Sequence, residues 1–182
     1  MQDEGRLRTV HVREESTGLH PLSLSCLMGS SDQNQPLPSL TRSQAFQANY
    51  ASLDAVRDFV AQAAVECGLA EDAVYAVQLA MDEAFTNIIE HSLGGECDED
   101  IQCSCTTGDE VLVVMLQDCG RPFNPGSVPE PDLKSDLQDR DVGGLGLYFM
   151  RKLMDEVHFS FTELSDGGVG CNTVTMIKRK GR

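Results

Sequence analysis

The chain has 182 residues, of which 41% are hydrophobic and 5% aromatic with no Trp, and it carries a formal charge of −15. That length suits one domain with tails, or at most two small domains, and can bury a sizeable core. The acidic balance argues against a nucleic-acid or anionic-membrane surface, because both partners are polyanions, and no run of about 18 apolar residues is present to span a bilayer.

The first stretch, MQDEGRLRTVHVREES, holds acidic residues where a charged-then-apolar leader would stand; a cytoplasmic protein is expected. Residues 1–42 are rich in Ser, Gln, Pro and charge, with PLSLSCLM (21–28) as the one apolar patch and linker-like SSDQNQPLPS after it. They are expected to form a poorly ordered tail, with the folded domain spanning 43–182. A short strand is expected near Ser43 to Ala48. Ser52 is placed to cap a helix from Leu53 to Cys67, whose apolar positions are Val56, Phe59, Val60 and Ala64 and which Gly68 ends.

The next segment, EDAVYAVQLAMDEAFTNIIEHS (Glu71 to Ser92), is the centre of the chain. Val74, Val77, Met81, Ala84, Phe85 and Ile88 recur at steps of three and four, the period of a helix with one buried stripe. Glu71 and Asp72 fall in the first turn, where the helix dipole favours negative charge. Glu83, Asn87 and His91 stand four residues apart and stack on one face. Such a polar line either meets solvent or lines a pocket.

IQCSCTT and EVLVVMLQD, joined through Gly108-Asp109, read as a hairpin. Val111 to Leu116 is nearly continuous in hydrophobicity and predicts a central strand buried on both faces. From Cys119 to Val142 prolines and charges break the pattern, which predicts a loop of about two dozen residues, a length usually tied to functional lids or disorder. GGLGLYFMRKLMDEV resumes helical periodicity through Leu147, Met150 and Met154. VHFSFTEL and NTVTMIKR, with Gly167-Gly168 between them, close the domain as a second hairpin. This order predicts an α+β, two-layer sandwich with helices on one face of a mixed or antiparallel sheet. The regular βαβ alternation of a doubly wound fold is missing. The seven cysteines are odd in number and show no CxxC pair. They are expected to be reduced and structural, with Cys103 and Cys105 on one face of a strand.

Three motifs stand in order: E-x-x-x-N-x-x-x-H (Glu83, Asn87, His91), D-x-G at a strand end (Asp118, Gly120), and GGLGL at the mouth of a helix (Gly143, Gly144, Leu145, Gly146, Leu147). With the long loop between the last two, they resemble the nucleotide-binding boxes of the GHKL ATPase/kinase superfamily, the Bergerat or histidine-kinase-like ATPase fold. Within it, MDEAFTNIIEHS, QDCGRPFNP, GGLGLYFMRKLMDEV and NTVTMIKR resemble the serine kinases that act as anti-sigma factors in bacterial partner-switching. The likeness covers about Ser43 to Lys180.

The resemblance implies ATP and Mg²⁺ as cofactors and a role for each matching residue. Asn87 matches the magnesium-binding Asn, a neutral oxygen donor suited to an ion that keeps octahedral oxygen coordination. Glu83 matches the carboxylate taken as general base toward the attacking hydroxyl. Asp118 matches the adenine-reading Asp, and Gly120 lets backbone approach the ring. Gly143, Gly144, Leu145 and Gly146 form the turn over the phosphates, with N–H groups at the helix start facing negative charge. Thr173 matches the Thr near the adenine pocket, Phe123 is placed to pack over the base, and His91 either touches phosphate or makes a local hydrogen bond. Arg121 and Arg140 are lid cations that either pair with phosphates or are solvated.

Two departures qualify the likeness. Pro122 replaces the second glycine of the usual D-x-G-x-G box and stiffens that loop. Glu90 replaces a residue that is basic in many histidine kinases, which speaks against that branch. The implied function is an ATP-dependent serine/threonine-protein kinase acting as an anti-sigma factor. Its implied partners are a sigma factor and a small antagonist protein that it phosphorylates, and the implied assembly is a homodimer. The alternative is a catalytically silent ATP-binding regulator that sequesters a partner.

Overall fold

A computed structural model of the chain describes residues 8–10, 40–128, 145–163 and 170–181. Strand β1 (Arg8–Val10) is followed by β2 (Leu40–Gln47), helix α1 (Leu53–Cys67) and helix α2 (Glu71–Asn87). Then come β3 (Asp100–Thr107), β4 (Val111–Asp118), helix α3 (Leu145–Leu153), β5 (Glu156–Glu163) and β6 (Cys171–Arg179). The strands lie side by side in the order β1-β5-β6-β4-β3-β2. The α+β sandwich expected from the sequence forms, and β4 is central as its hydrophobicity requires.

The sheet is antiparallel in every described pair rather than mixed. Two helices in succession return the chain to the end of the sheet where β3 must start antiparallel to β2. One helix between β4 and β5 leaves those two strands pointing the same way, but β6 lies between them and opposes both. Two other expectations shift. Residues 8–10, inside the expected tail, form β1, which pairs with β5 at the sheet edge, and the strand expected near Ser43 to Ala48 runs from Leu40 to Gln47. The tail's apolar patch at 21–28 and the Gly167-Gly168 turn lie outside the described residues, as does most of the long loop.

Alternation along the strands builds the core. Ile101, Cys103 and Cys105 on β3, Leu112, Val114 and Leu116 on β4, and Val174 and Met176 on β6 join one buried cluster with Val56, Val60, Met81, Phe85, Leu147 and Met150 of the three helices. Burying a side chain such as Phe85 or Met81 fully is worth about 1.5–3 kcal/mol each. Val113 and Ile177 pair across β4 and β6 on the opposite face and are also buried, which is why Val111 to Leu116 shows no polar alternation. Among the described residues, no helix is long and apolar enough to cross a membrane.

Helix ends follow local chemistry. Ser52 is already helical and makes no side-chain cap; instead Asn49 accepts hydrogen bonds from Ser52 N–H and Oγ, both at 3.0 Å, and fixes the short turn that leads into α1. Gly68 adopts the left-handed φ of 79° that stops α1. Arg57 of α1 reaches Asp82 of α2 through both carboxylate oxygens, at 2.8–3.2 Å, and so bridges the two helices.

The end of α2 is unusual. Its last turn, Ile88–Leu93, winds as a π-helix and closes at Gly94, whose φ is 80°. A π turn bonds i to i+5 and inserts one residue relative to an α turn. Ile88, Ile89 and Ser92 face inward and are buried, while Glu90 and His91 are exposed.

The cysteines divide. Cys67, Cys97, Cys103 and Cys105 are free thiols, as expected. Cys119 and Cys171 form a disulfide, against the expectation that all seven are reduced. The register explains it: Asp118 faces Asn172 across β4 and β6, so the next residues outward, Cys119 and Cys171, face each other.

Candidate functional site

Between the inner face of α2, the end of β4, the start of β6 and α3 lies a cleft. It is lined by Ala84, Asn87, Ile88, Ser92, Asp118, Phe123, Leu147, Met150, Phe159, Ser160, Asn172, Thr173 and Val174, and encloses about 470 Å³ including its open mouth. Its apolar walls with a few convergent polar groups are the usual make-up of a small-molecule site.

Asp118 is the deepest polar group, 3% exposed at the strand end. Three donors converge on its Oδ1: the Ser92 hydroxyl, Gly120 N–H at 2.9 Å and Asn172 Nδ2 at 3.1 Å. Its Oδ2 takes no hydrogen bond from the described residues. One oxygen is therefore saturated and the carboxylate plane is held, leaving the other oxygen as a fixed acceptor for a donor on a bound molecule. Asn172 extends this network. Its amide nitrogen also donates to Arg121 O at 2.9 Å, and its carbonyl accepts Phe123 N–H at 2.9 Å. The loop 120–123 is thereby folded back over the cleft, and Phe123 packs against Phe159 with ring centroids 5.5 Å apart. The two rings, tilted by 56° to each other, make an apolar wall.

At the other end of the cleft, Asn87 is half-buried and its Nδ2 is fully buried without a hydrogen-bond partner among the described residues. An orphaned buried amide is costly unless a ligand satisfies it, and a flip of the amide presents its carbonyl at the same place. Glu83, one turn earlier, is half-buried and makes no hydrogen bond or ion pair with the described residues. Burial first, then the nearby charges of Asp82 and Glu90, push its carboxyl above the ordinary Glu value. Gly146 of α3 sits against both side chains: a Cβ there would lie 2.7 Å from Glu83 Oε2 and 3.2 Å from Asn87 Nδ2. The glycine is needed for the helix to approach this closely.

Of the residues singled out from the sequence, Asn87, Asp118, Phe123 and Thr173 line the cleft, and Glu83 and Gly146 stand at its edge. Gly120 also meets a packing need beside Asp118. Its missing side chain makes room for Ser92, whose backbone oxygen would be 2.6 Å from a Cβ. Leu145 opens α3 and is half-buried, outside the lining. Gly143, Gly144 and Arg140 lie outside the described residues. Arg121 is exposed, with its backbone tied to Ser92.

His91 does not join the cleft: it is exposed, because the π turn advances the inward position from 91 to 92. Asn172 carries the side chain bonded to Asp118, because the register sets it directly opposite Asp118 across β4 and β6. Ser92 and Asn172 were not found from the sequence. Asn172 had a signal, since it precedes Thr173 in the same strand; Ser92 had none, because helical spacing points to His91.

The fold is that of an ATPase/kinase-type domain. The chain belongs to the histidine kinase-like ATPase domain family, whose model matches residues 46–178. It is similar to a protein named serine-protein kinase RsbW in several organisms. The Bacillus velezensis protein is 31% identical over 127 residues, 68% of this chain and 75% of that protein. The one from Listeria monocytogenes serovar 1/2a is 29% identical over 104 residues, 55% of this chain and 66% of that protein.

Proposed function

We propose that this protein is an ATP-dependent serine/threonine-protein kinase that acts as an anti-sigma factor in bacterial partner-switching, phosphorylating a small antagonist protein and otherwise holding a sigma factor. The similar proteins bear the name serine-protein kinase, and their likeness supports the partner-switching setting. The observation that carries the enzymatic reading is Glu83: a half-buried carboxylate without a partner among the described residues, raised above its ordinary pKa and pressed against Gly146 beside the orphaned amide of Asn87. A passive binding module has no need of an unpaired carboxylate there.

In this reading, the free Oδ2 of Asp118 accepts from the exocyclic amine of adenine, and Phe123 and Phe159 cover the ring. Asn87, with its amide flipped, would offer its carbonyl to the metal, and its unsatisfied buried amide together with the space left by Gly146 fits that use. When bound with the nucleotide, Mg²⁺ neutralises phosphate charge. Glu83 is placed to accept the proton of the attacking hydroxyl at a carboxylate oxygen, and its raised pKa makes it a better base than an exposed Glu. Water is kept from the ring by Leu147, Met150 and Ile88. A serine or threonine of the antagonist would be the acceptor.

The test is incubation with ATP, Mg²⁺ and a candidate antagonist domain. Phosphoserine or phosphothreonine on that domain is expected, abolished by Glu83→Ala while nucleotide affinity stays within a few-fold. ATP uptake without any transfer would leave only the sequestering regulator. No magnesium-dependent ATP uptake would remove both.

A further inference from the structure

The one disulfide among the described residues lies beside the cleft. Cys119 directly follows Asp118, Cys171 directly precedes Asn172, and the bond ties the end of β4 to the start of β6. Asp118 and Asn172 are themselves hydrogen-bonded, and Asn172 holds the backbone of Arg121 and Phe123. Cys119 is therefore the first residue of the loop that covers the cleft, and its link to β6 is the loop's covalent root. Cys119 is exposed and Cys171 half-buried, so a reagent can reach the bond, whereas Cys67, Cys103 and Cys105 are buried in the core.

We propose that Cys119 and Cys171 are a reversible dithiol–disulfide pair, and that the oxidised form holds the cleft ready for nucleotide while the reduced form binds it more weakly. The proposal rests on the nucleotide-binding reading above. Oxidation by a hydroperoxide balances as follows. The Cys119 thiolate attacks the peroxide oxygen, giving a sulfenic acid and releasing an alcohol or water; the Cys171 thiol then attacks that sulfur, the S–S bond forms and water leaves. The peroxide takes up the two electrons. A low-molecular-weight dithiol reverses it: one thiolate attacks a protein sulfur, its second thiol resolves the mixed disulfide, and both cysteines leave as thiols.

The physical cause is pre-organisation. With the bond closed, residues 119–123 are held at both ends, by sulfur and by Asn172. With it open, hydrogen bonds alone hold residues 120–123, the root at Cys119 must be ordered at binding, and affinity drops by that ordering entropy. Fixing about one residue corresponds to a loss of roughly five- to thirty-fold in affinity.

The experiment is calorimetric titration of the whole chain with ADP and Mg²⁺, in the oxidised state, after reduction with a dithiol, and after reoxidation with hydrogen peroxide. Peptide mass spectrometry assigns the bond in each state. The expected result is a five- to thirty-fold weaker Kd on reduction, recovered on reoxidation. The double variant Cys119→Ser, Cys171→Ser should stay at the reduced value under all three conditions. Equal Kd in all states overturns the proposal while leaving nucleotide binding intact, and so does a Cys119–Cys171 bond that does not form. Loss of far-UV circular dichroism on reduction also overturns it, because the bond is then a structural staple. If ADP binds in no state, the nucleotide reading itself falls.

Discussion

Gly146→Ala separates stability from catalysis at a single methyl group. The added Cβ would meet Glu83 Oε2 at 2.7 Å, closer than such atoms approach, so the carboxylate has to withdraw, and Asn87 Nδ2 at 3.2 Å must give by a few tenths. Glu83 is the flexible end of a half-buried side chain and can swing toward solvent cheaply. The helix gains instead, since Ala exceeds Gly by about 0.5–1 kcal/mol in a helix interior and by less at the second position of α3. The variant should therefore melt at or slightly above the parent's Tm. Transfer to the antagonist should nevertheless fall about 10- to 100-fold, the loss that follows a misplacement approaching 1 Å of a catalytic group. Nucleotide affinity should change by less. Differential scanning calorimetry and a radiolabelled phosphotransfer assay on the same preparation decide it. A transfer rate within three-fold of the parent, in a folded variant, would refute the placement of Glu83 at the reacting hydroxyl.

Other outcomes follow from the same contacts. Because the Glu83 carboxyl is raised by burial and by Asp82 and Glu90, transfer should fall as pH drops through a pKa above the ordinary Glu value, and a rate–pH profile locates that limb. The same shift means the folded state binds this proton more tightly than the unfolded chain, so ionised Glu83 destabilises the fold at neutral pH. Glu83→Gln should raise Tm at pH 7, with the gain shrinking as pH falls through the raised pKa, read by thermal melts across pH. Asn87→Ala removes a buried amide that has no partner; it should leave unfolding free energy within about 1 kcal/mol of the parent but abolish magnesium-dependent ATP binding in calorimetry. Gly120→Ala places a methyl 2.6 Å from the Ser92 carbonyl oxygen, which is backbone and cannot yield. Denaturant melts should show a loss of about 1–3 kcal/mol, the usual cost of forced overpacking.

Much of the fold could be read before any coordinates. The bounds expected for α1, Leu53 to Cys67, are those observed, because an amphipathic stripe ending in Gly is a complete local signal. The central position of β4 followed from a run with no polar alternation. Ser52 misled because an N-cap preference does not reveal that the preceding turn is already helical and capped by Asn49. The thiol reading failed at Cys119 and Cys171 because residues 52 apart in sequence meet only through strand register.

The sequence by itself determined the described helices and the strands from β2 onward, their order and one polar line on α2, since periodicity, caps and turn residues act over a few positions. What the tertiary structure alone decided is which atoms converge. The π turn replaces His91 with Ser92 at the cleft, and the β4–β6 register brings Asn172 to Asp118 and Cys171 to Cys119. A one-residue change in winding or register turns a side chain from one face to the other, and that choice belongs to packing between segments far apart in the chain.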